Sequence, residues 1–294
     1  MHVVGMVLHP LRDSADAVDA VLGWAKGNGA QVLGIETEIR RLNCAAIGVT
    51  AAELGRRSDL VVSLGGDGTM LRALRLADGH RAPVLGVNLG KLGFLAEVDV
   101  PDVPAALTAI DEKEFTVEPR LAVDAVLGEQ MVTAFNDVAL VRFPGLATAA
   151  VAVLAAGHPF VSYAADAVVV ATPTGSTAYS FSAGGPIVSP AVEALLVTPA
   201  APHSAYNRGL VLSIQDSLAL EVLPASGRLA VEVDGQVAAH VEPGDQVELR
   251  PRPGAAHVVR LGRTTFYERA RRKLRLADSA EVPADLPGWA DHRD

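Results

Sequence analysis

The sequence has a single cysteine, few aromatic residues and no long apolar run. Cys44 alone cannot form an internal disulfide or a cysteine-based metal site. No segment approaches the roughly 18–20 consecutive apolar residues of a membrane span. Residues 1–8 lack the basic segment that opens a signal peptide. We therefore expect a cytoplasmic protein without a membrane partner, since free cysteines are usual in a reducing compartment.

Basic residues are also in the minority. The chain has 25 lysine and arginine residues against 34 aspartate and glutamate residues, which gives a formal net charge of −9. This balance argues against a nucleic-acid partner, because nonspecific binding requires a basic surface. The histidines show no metal-ligand spacing, so no metal ligand is assignable. Neither a P-loop motif nor a Gly-x-Ser-x-Gly motif occurs.

Residues 58–72 are the most informative stretch of the chain. Leu60–Leu64 is a short apolar run, typical of a parallel strand covered on both faces. Three glycines between positions 65 and 68 predict a turn with backbone angles that a Cβ atom would forbid. From Met70 onward, apolar residues recur with helical spacing. The start of such a helix suits a phosphate group.

Asp67 lies in this turn, where a carboxylate would repel a phosphate. Its presence is explained if it acts as a general base or carries Mg²⁺. The alternative interpretation is structural, with the side chain capping the helix or closing an Asx turn.

Strands and helices alternate up to about residue 115, which predicts a Rossmann-like α/β domain with a parallel sheet. Ligands of such sheets bind at the carboxyl ends of the strands. Beyond that point, apolar segments separated by turn signals predict a β-rich domain of sandwich type. We divide the chain into residues 1–116, 117–264 and 265–294. The last part is a basic helix and tail that returns to the first domain, with its charged face expected in solvent. Predicted helices cover residues 14–26, 50–57, 104–110 and 267–274, and predicted strands cover residues 3–8, 31–35, 83–88, 121–127, 131–140, 149–155, 167–171, 211–213, 218–223, 229–233 and 247–249.

A second unusual stretch runs over residues 166–186. An apolar strand, Ala167–Ala171, leads into a loop rich in threonine, serine and glycine. These hydroxyls are neutral donors and acceptors, and they suit the ribose, amide and base edges of a nucleotide better than a metal ion. The competing interpretation is a surface loop whose hydroxyls cap its own backbone. Residues 136–137, Asp166 and the turn at 234–236 are candidates to join this loop in one crevice.

The two stretches together resemble the NAD kinase family. Residues 65–69 read Gly-Gly-Asp-Gly-Thr, a motif that the family shares with diacylglycerol, sphingosine and 6-phosphofructo-type kinases. Residues 172–186 are similar to the family's substrate loop and are far more specific. Lesser landmarks at 88–95, 202–204, 208–211 and 234–236 occur in the right order, so the resemblance covers about residues 3–276.

This resemblance implies an NAD kinase/diacylglycerol kinase-like fold and transfer of a phosphoryl group from ATP, or from polyphosphate, to the adenosine 2′-hydroxyl of NAD. It also implies Mg²⁺ or another divalent cation, and a homodimer or homotetramer. Asp67 is then the general base. The implied nucleotide-binding residues are Gly66, Asp67, Gly68, Thr69, Arg72, Asn136, Asp137, Asp166, Thr174, Thr177, Ala178, Tyr179, Ser180, Phe181, Ser182 and Gln236.

Two other classes of protein stay open on the sequence. A lipid or sugar kinase shares the Asp67 turn but should lack the loop at 172–186. A nucleotide-binding regulatory paralogue would keep the pocket without turnover. Three departures from the family pattern keep this regulatory paralogue open, namely Asp137 in place of glutamate, Ala167 in place of glycine, and Ala164 in place of a basic residue.

Overall fold

The computed structural model describes residues 1–90, 93–145, 147–204 and 206–276. The elements of the N-terminal part are β1 (Val3–Leu8), α1 (Ala15–Asn28), β2 (Gln31–Ile35), α2 (Glu36–Leu42), β3 (Ile47–Val49), α3 (Ala51–Arg57), β4 (Leu60–Leu64), α4 (Asp67–Ala77), β5 (Val84–Asn88), β6 (Val98–Asp99) and α5 (Val103–Asp111). Those that follow are β7 (Thr116–Leu127), β8 (Gln130–Ala134), β9 (Asp137–Arg142), β10 (Ala149–Ala155), β11 (His158–Ala165), β12 (Ala167–Ala171), α6 (Tyr179–Ser182), β13 (Ala194–Ala200), β14 (Leu210–Ser213), β15 (Leu218–Val222), β16 (Leu229–Val233), β17 (Gln236–Val241), β18 (Gln246–Arg260) and α7 (Phe266–Leu274). The predicted tail over 277–294 lies outside the described residues.

The N-terminal sheet has five parallel strands in the order β3-β2-β1-β4-β5, and the two-residue strand β6 also pairs in parallel with β5. Every residue of β4 and β5 is buried, because apolar clusters that include residues of α1 and α5 and of α3 and α4 pack against the strands. The chain leaves β1 toward β2 but returns on the opposite side of β1 with β4. The loops after β1 and β4 therefore diverge, which leaves a crevice at the carboxyl edge of the sheet.

Strand β18 joins this parallel sheet to the antiparallel strands of the second part. Val258 of β18 pairs in parallel with Val84 of β5, while other residues of β18 pair antiparallel with β7 and β15. One sheet of twelve strands thus runs through both parts of the chain. The proposed domain boundaries at 116 and 264 fall beside the starts of β7 and α7. The twelve-stranded sheet nevertheless continues across the boundary at 116.

A second sheet of six antiparallel strands, in the order β14-β13-β12-β9-β16-β17, packs against the antiparallel part of the first. Their shared core consists mainly of valine, leucine and alanine, with Tyr163 as the largest fully buried side chain. This arrangement confirms the predicted α/β domain followed by a β-rich domain of sandwich type. No helix in the part of the chain that the structure describes is long and apolar enough to cross a membrane.

The structure corrects the prediction of one continuous strand over residues 131–140. Strands β8 and β9 are separated at Phe135 and Asn136. The carboxylate of Asp234 accepts the N–H groups of residues 135–137, which the strand ladder leaves unpaired. The prediction also missed seven elements, namely α2, β3, β6, β11, α6, β13 and β17. Strand β11 begins at His158, directly after Gly157, whose φ angle is positive.

The glycines of the 65–68 turn leave room for neighbouring atoms or for a ligand, and they do not serve to adopt a left-handed backbone conformation. None of them has a positive φ angle, in contrast to the prediction. A Cβ atom on Gly65 would stand 2.3 Å from Oγ1 of Thr69. Gly66 and Gly68 face open space, where a ligand can approach the main chain.

Candidate active site at the carboxyl edge of the parallel sheet

Asp67 is the first residue of α4, and Gly66 occupies the N-cap position. The helix therefore begins three residues before Met70, where the apolar periodicity starts. The carboxylate accepts hydrogen bonds from the backbone of residues 94 and 95, more than 25 positions along the chain. The described contacts of Asp67 are thus long-range. The alternative interpretation, in which its side chain caps the helix or closes an Asx turn, required contacts with residues close to it in sequence.

The loop after β5 meets the turn after β4 at this carboxylate. Oδ1 of Asp67 accepts the N–H group of Phe94 at 2.9 Å and that of Leu95 at 3.1 Å. Gly93 makes this approach possible, since a Cβ atom there would stand 2.4 Å from Oδ1 of Asp67. Positions 91 and 92 of the predicted glycine-rich loop lie outside the described residues.

A cationic cleft of about 500 Å³ opens beside Asp67. Arg12, Arg72 and Arg75 bring three guanidinium groups to it. Arg72 pairs with Glu38, while the pKa of the nearby His9 is held below its usual value by burial and by the surrounding arginines. Guanidinium groups beside a helix N-terminus form a site for anions. The lining residues are His9, Pro10, Arg12, Gly66, Asp67, Gly68, Thr69, Arg72, Arg75 and Gln236.

A second cleft, of about 180 Å³, carries mostly neutral groups. Its lining residues are Asp67, Phe94, Leu95, Asn136, Thr174, Thr177, Ala178 and Lys273. The loop at Gly175 packs so closely that a Cβ atom there would stand 2.1 Å from the carbonyl oxygen of Asn136. Among the described lining residues, Asp67 is the one that the two clefts share.

Two buried carboxyl groups, those of Asp137 and Asp234, lie near this second cleft. Burial raises the pKa of Asp137 to about 7, and the neighbouring Asp234 raises it as well. Burial also raises the pKa of Asp234, despite the backbone N–H groups that donate to it. Asp234 and Gly235 both have positive φ angles, 48° and 76°, as in a two-residue hairpin turn. This turn carries Gln236 to the cationic cleft.

The hydroxyl-rich loop contributes to the site unevenly. Thr174, Thr177 and Ala178 line the second cleft. Other hydroxyls satisfy groups of the protein itself, as the competing interpretation proposed: Thr172 donates to the Phe135 carbonyl, Ser176 to the Pro173 carbonyl, and Ser180 is buried against Thr198. Tyr179, Phe181 and Ser182 lie on α6 and are absent from the described linings of both clefts.

Asp166 lies at the opposite end of β12 from the start of the hydroxyl-rich loop, although its carboxylate is near enough to Tyr179 to contribute to the raised pKa of that phenol. It precedes this strand, whereas the hydroxyl-rich loop follows it, so about 20 Å of extended chain lie between them. Nε of Arg142 donates to Asp166 at 2.5 Å and lowers the pKa of that carboxyl. The structure therefore brings Asn136 and Gln236 to the described linings of the two clefts, whereas Asp166 is absent from those linings.

Helix α7 supplies two cations that the sequence interpretation had assigned to solvent. Arg269 is only 2% exposed, and its Nε donates to the carbonyl oxygen of Phe94 at 3.1 Å. Nζ of Lys273 lies 2.5 Å from Oδ2 of Asp67. These contacts bridge more than 170 positions of the chain, and the local pattern of charges gave no signal for them.

A carboxylate at a helix N-terminus, between guanidinium groups on one side and neutral polar groups on the other, is the arrangement of a phosphotransferase of α/β fold. Residues 10–115 match the family model of the ATP-NAD kinase N-terminal domain, and residues 135–261 match that of the ATP-NAD kinase C-terminal domain. The chain belongs to the ATP-NAD kinase family. Its reaction is the ATP-dependent phosphorylation of NAD.

Relatives of known name support this assignment over nearly the full length. NAD kinase 1 of Streptomyces avermitilis is 40% identical, over 97% of this chain and 91% of the relative. The NAD kinase of Desulforamulus reducens is 36% identical, over 94% of this chain and 98% of the relative. Among solved structures, yeast NADH kinase complexed with NADH has a TM-score of 0.80 at 25% identity, covering 94% of this chain and 87% of that one. An NAD kinase from Archaeoglobus fulgidus in complex with ATP shares the fold, with a TM-score of 0.74 at 24% identity, covering 93% and 98%.

Proposed function

We propose that the chain transfers the γ-phosphoryl group of ATP to the 2′-hydroxyl of the adenosine ribose of NAD, with Asp67 as general base. One observation carries this assignment of roles. Asp67 lies in the lining of both the cationic cleft and the second cleft. A group at this boundary can take a proton from an acceptor in one cleft while a donor held in the other delivers its phosphoryl group.

The donor phosphates occupy the cationic cleft in this proposal. Arg12 and Arg75 reach it from the loop after β1 and from α4. Gly66 and Gly68 place backbone N–H groups at the start of α4, where the helix dipole favours an anion, while the N–H group of Thr69 donates to the Gly66 carbonyl and leaves its hydroxyl for the donor. Polyphosphate is an alternative donor, since it presents the same anionic oxygens.

The ribose and base of NAD occupy the second cleft. Asn136, Thr174 and Thr177 offer uncharged donors and acceptors there, and the Phe94 side chain offers an apolar surface. Asp137 lies behind them and is about half protonated at pH 7, because burial raises its pKa to about 7. We assign it a hydrogen-bonding role with Tyr179, whose backbone N–H group donates to it. Four residues that the resemblance assigns to nucleotide binding are absent from the described linings of both clefts, namely Asp166, Ser180, Phe181 and Ser182.

The reaction follows from this placement. The 2′-hydroxyl oxygen attacks the γ-phosphorus as its proton passes to Asp67, and the bond from that phosphorus to the β-phosphate bridging oxygen breaks. The products are NADP and ADP, and the protonated Asp67 returns its proton to solvent. Phosphoryl transfer demands mainly alignment and charge stabilisation, which the arginines and the helix start provide.

Mg²⁺ enters as part of the MgATP substrate in this proposal. No group of three or more histidine, cysteine, aspartate or glutamate side chains within the described ranges could hold a metal ion. Such a group is not required, because Mg²⁺ at phosphoryl-transfer sites commonly binds one or two carboxylates together with substrate phosphates. Asp67 is the carboxylate that lies in the cationic cleft. The ion neutralises negative charge on the transferring phosphates.

The test uses the purified chain with NAD, Mg²⁺ and either ATP or polyphosphate, while an NADP-specific dehydrogenase reports NADP. We expect NADP formation with ATP, and ³¹P NMR should place the new phosphate on the 2′-position. Parallel calorimetry measures NAD binding. A well-folded chain that binds NAD but forms no NADP would support the regulatory paralogue instead.

We also propose that the protein is a cytoplasmic homodimer or homotetramer. Apolar side chains on the second part of the chain support an interface, since Val211 on the edge strand β14 and Phe160 on β11 are 58% and 60% exposed. Light scattering coupled to gel filtration measures the mass directly. A single peak at about the 30.5 kDa of one chain would contradict the proposal.

A further inference from the structure

Helix α7 reaches the Asp67 carboxylate from the far end of the chain. Nζ of Lys273 lies 2.5 Å from Oδ2 of Asp67 and 4.4 Å from the centre of the Phe94 ring. The other oxygen, Oδ1, accepts the N–H groups of Phe94 and Leu95. The carboxylate is thus held at both oxygens: backbone amides donate to Oδ1, while Oδ2 accepts from the Lys273 ammonium group and, at 3.1 Å, from the N–H group of Phe94 as well.

The position of Lys273 is fixed by the residue one turn earlier. Arg269 is buried, and its Nη1 donates to the carbonyl oxygen of Thr264 at 2.7 Å, while its Nε donates to that of Phe94. Residues at positions i and i+4 share one face of a helix. Arg269 therefore anchors the face of α7 that presents Lys273 to Asp67. A capping box between Thr265 and Glu268 begins this helix.

The ion pair is poorly explained as a device for stability. The Lys273 side chain is 32% exposed, and ion pairs with this degree of solvent contact typically contribute only about 0–1 kcal/mol. The acidic groups behind the loop do not require another cation either, since Glu97 and Glu118 already pair with Arg260.

We propose that Lys273 is a positioning residue for phosphoryl transfer. Its ammonium group holds Oδ2 of Asp67 so that the plane of the carboxylate is fixed relative to the acceptor hydroxyl in the second cleft, which Lys273 also lines. Alignment of this kind matters, because a displacement of about 1 Å can cost roughly a hundredfold in rate. The inference rests on the proposed role of Asp67 as general base.

The first test replaces the ammonium group but keeps the stem that packs on Phe94. We expect Lys273→Met to lower kcat by about 30- to 100-fold, with the KM values for NAD and ATP changed by less than about threefold. Lys273→Arg, which keeps a cation, should retain more activity than Lys273→Met. Lys26→Met makes the same change of charge on an exposed position of α1 and should behave as wild type.

Chemical rescue distinguishes positioning from a general loss of structure. Ethylammonium should raise the turnover of Lys273→Ala several-fold at unchanged ionic strength, whereas tetramethylammonium, which cannot donate a hydrogen bond, should not. A variant with lowered thermal stability still permits this comparison, since both salts act on the same folded fraction. Equal effects of the two salts would contradict the proposal.

Three kinetic outcomes would overturn the inference. Unchanged kcat in Lys273→Met shows no role in turnover, and increased kcat shows that Lys273 blocks Asp67. A rise in KM alone shows that Lys273 binds substrate rather than positions the base. The Asp67→Asn background separates this inference from the proposed function. If Lys273 acts through Asp67, Lys273→Met should not lower kcat further in the Asp67→Asn background. Full activity of Asp67→Asn itself would instead refute the role of Asp67 as general base.

Discussion

Gly93 lies so close to Asp67 that a single added methyl group would stand 2.4 Å from the carboxylate oxygen Oδ1. The loop that donates to Asp67 can therefore reach it only with glycine at this position. The turn after β4 and the loop after β5 thus depend on each other sterically. The position of the Asp67 carboxylate is determined by a contact with Gly93, 26 positions away in sequence.

We expect Gly93→Ala to reduce kcat by about 10- to 100-fold, since the methyl group displaces the carboxylate or the loop. The loss comes from the contact of the added methyl group with the Asp67 carboxylate. Steady-state NADP formation measures it. Gly27→Ala, where no atom lies within 4 Å of the added Cβ, should keep wild-type turnover.

Asp137 should make the folded state less stable as the pH rises. Burial raises its pKa from 3.8 to about 7, so the native state binds an extra proton between about pH 4 and pH 7. This contribution is complete below the unfolded pKa and is lost as the pH rises through the folded one, and the difference between the two pKa values corresponds to roughly 4 kcal/mol. Urea unfolding at pH 5 and pH 8 should show a smaller loss in Asp137→Asn than in the wild type. Identical pH dependence in both proteins would contradict the assigned protonation.

Arg12 should bind the donor and leave the acceptor unaffected. Arg12→Gln removes one guanidinium group from the cationic cleft, and a hydrogen bond to a charged group contributes about 1.5–3 kcal/mol. We therefore expect the KM for ATP to rise about tenfold or more, with the Kd for NAD unchanged. Arg81→Gln, at the opposite end of β5, is the control for charge. A weakened affinity for NAD in Arg12→Gln would argue against the division of roles between the clefts.

Two capping boxes allow a matched comparison of stability and activity. Thr50 begins α3 and Thr265 begins α7, each with a glutamate at the third helical position. Replacing either threonine with alanine should cost about 1 kcal/mol locally. Turnover should fall only in Thr265→Ala, because α7 carries Lys273. Equal turnover in the two variants would mean that α7 does not influence the reaction.

The sequence predicted the parts of the fold in which local pattern and burial agree. Leu60–Leu64, Ala149–Ala155 and Ala167–Ala171 are apolar segments between turn signals, and each is a strand with the predicted bounds. The missed strand β17 lies at the edge of its sheet, where most of its residues are exposed or half-buried. Its sequence therefore lacks the regular alternation of apolar and polar residues that predicts a strand. The break at Asn136 was missed because the Asp234 carboxylate, nearly a hundred positions away, satisfies its backbone.

The candidate site was predictable in its motifs but not in their surroundings. The turn at Asp67 and the loop at 174–178 meet as the resemblance implied. Lys273 was not predictable, because the basic pattern of α7 is the same for a solvated helix and for one whose single lysine reaches an active site. Only the folded path of the chain separates these two cases.

The kcat of Asp67→Asn tests the central claim most directly. The amide side chain of this variant keeps the size of the carboxylate and an acceptor for the N–H groups of residues 94 and 95, but it cannot take the ribose proton. The account predicts a kcat lowered by at least about a hundredfold, with NAD affinity within about threefold of wild type by calorimetry. Asp19→Asn, an exposed position on α1, should be indistinguishable from wild type. A near-normal kcat in folded Asp67→Asn that binds NAD would contradict the account.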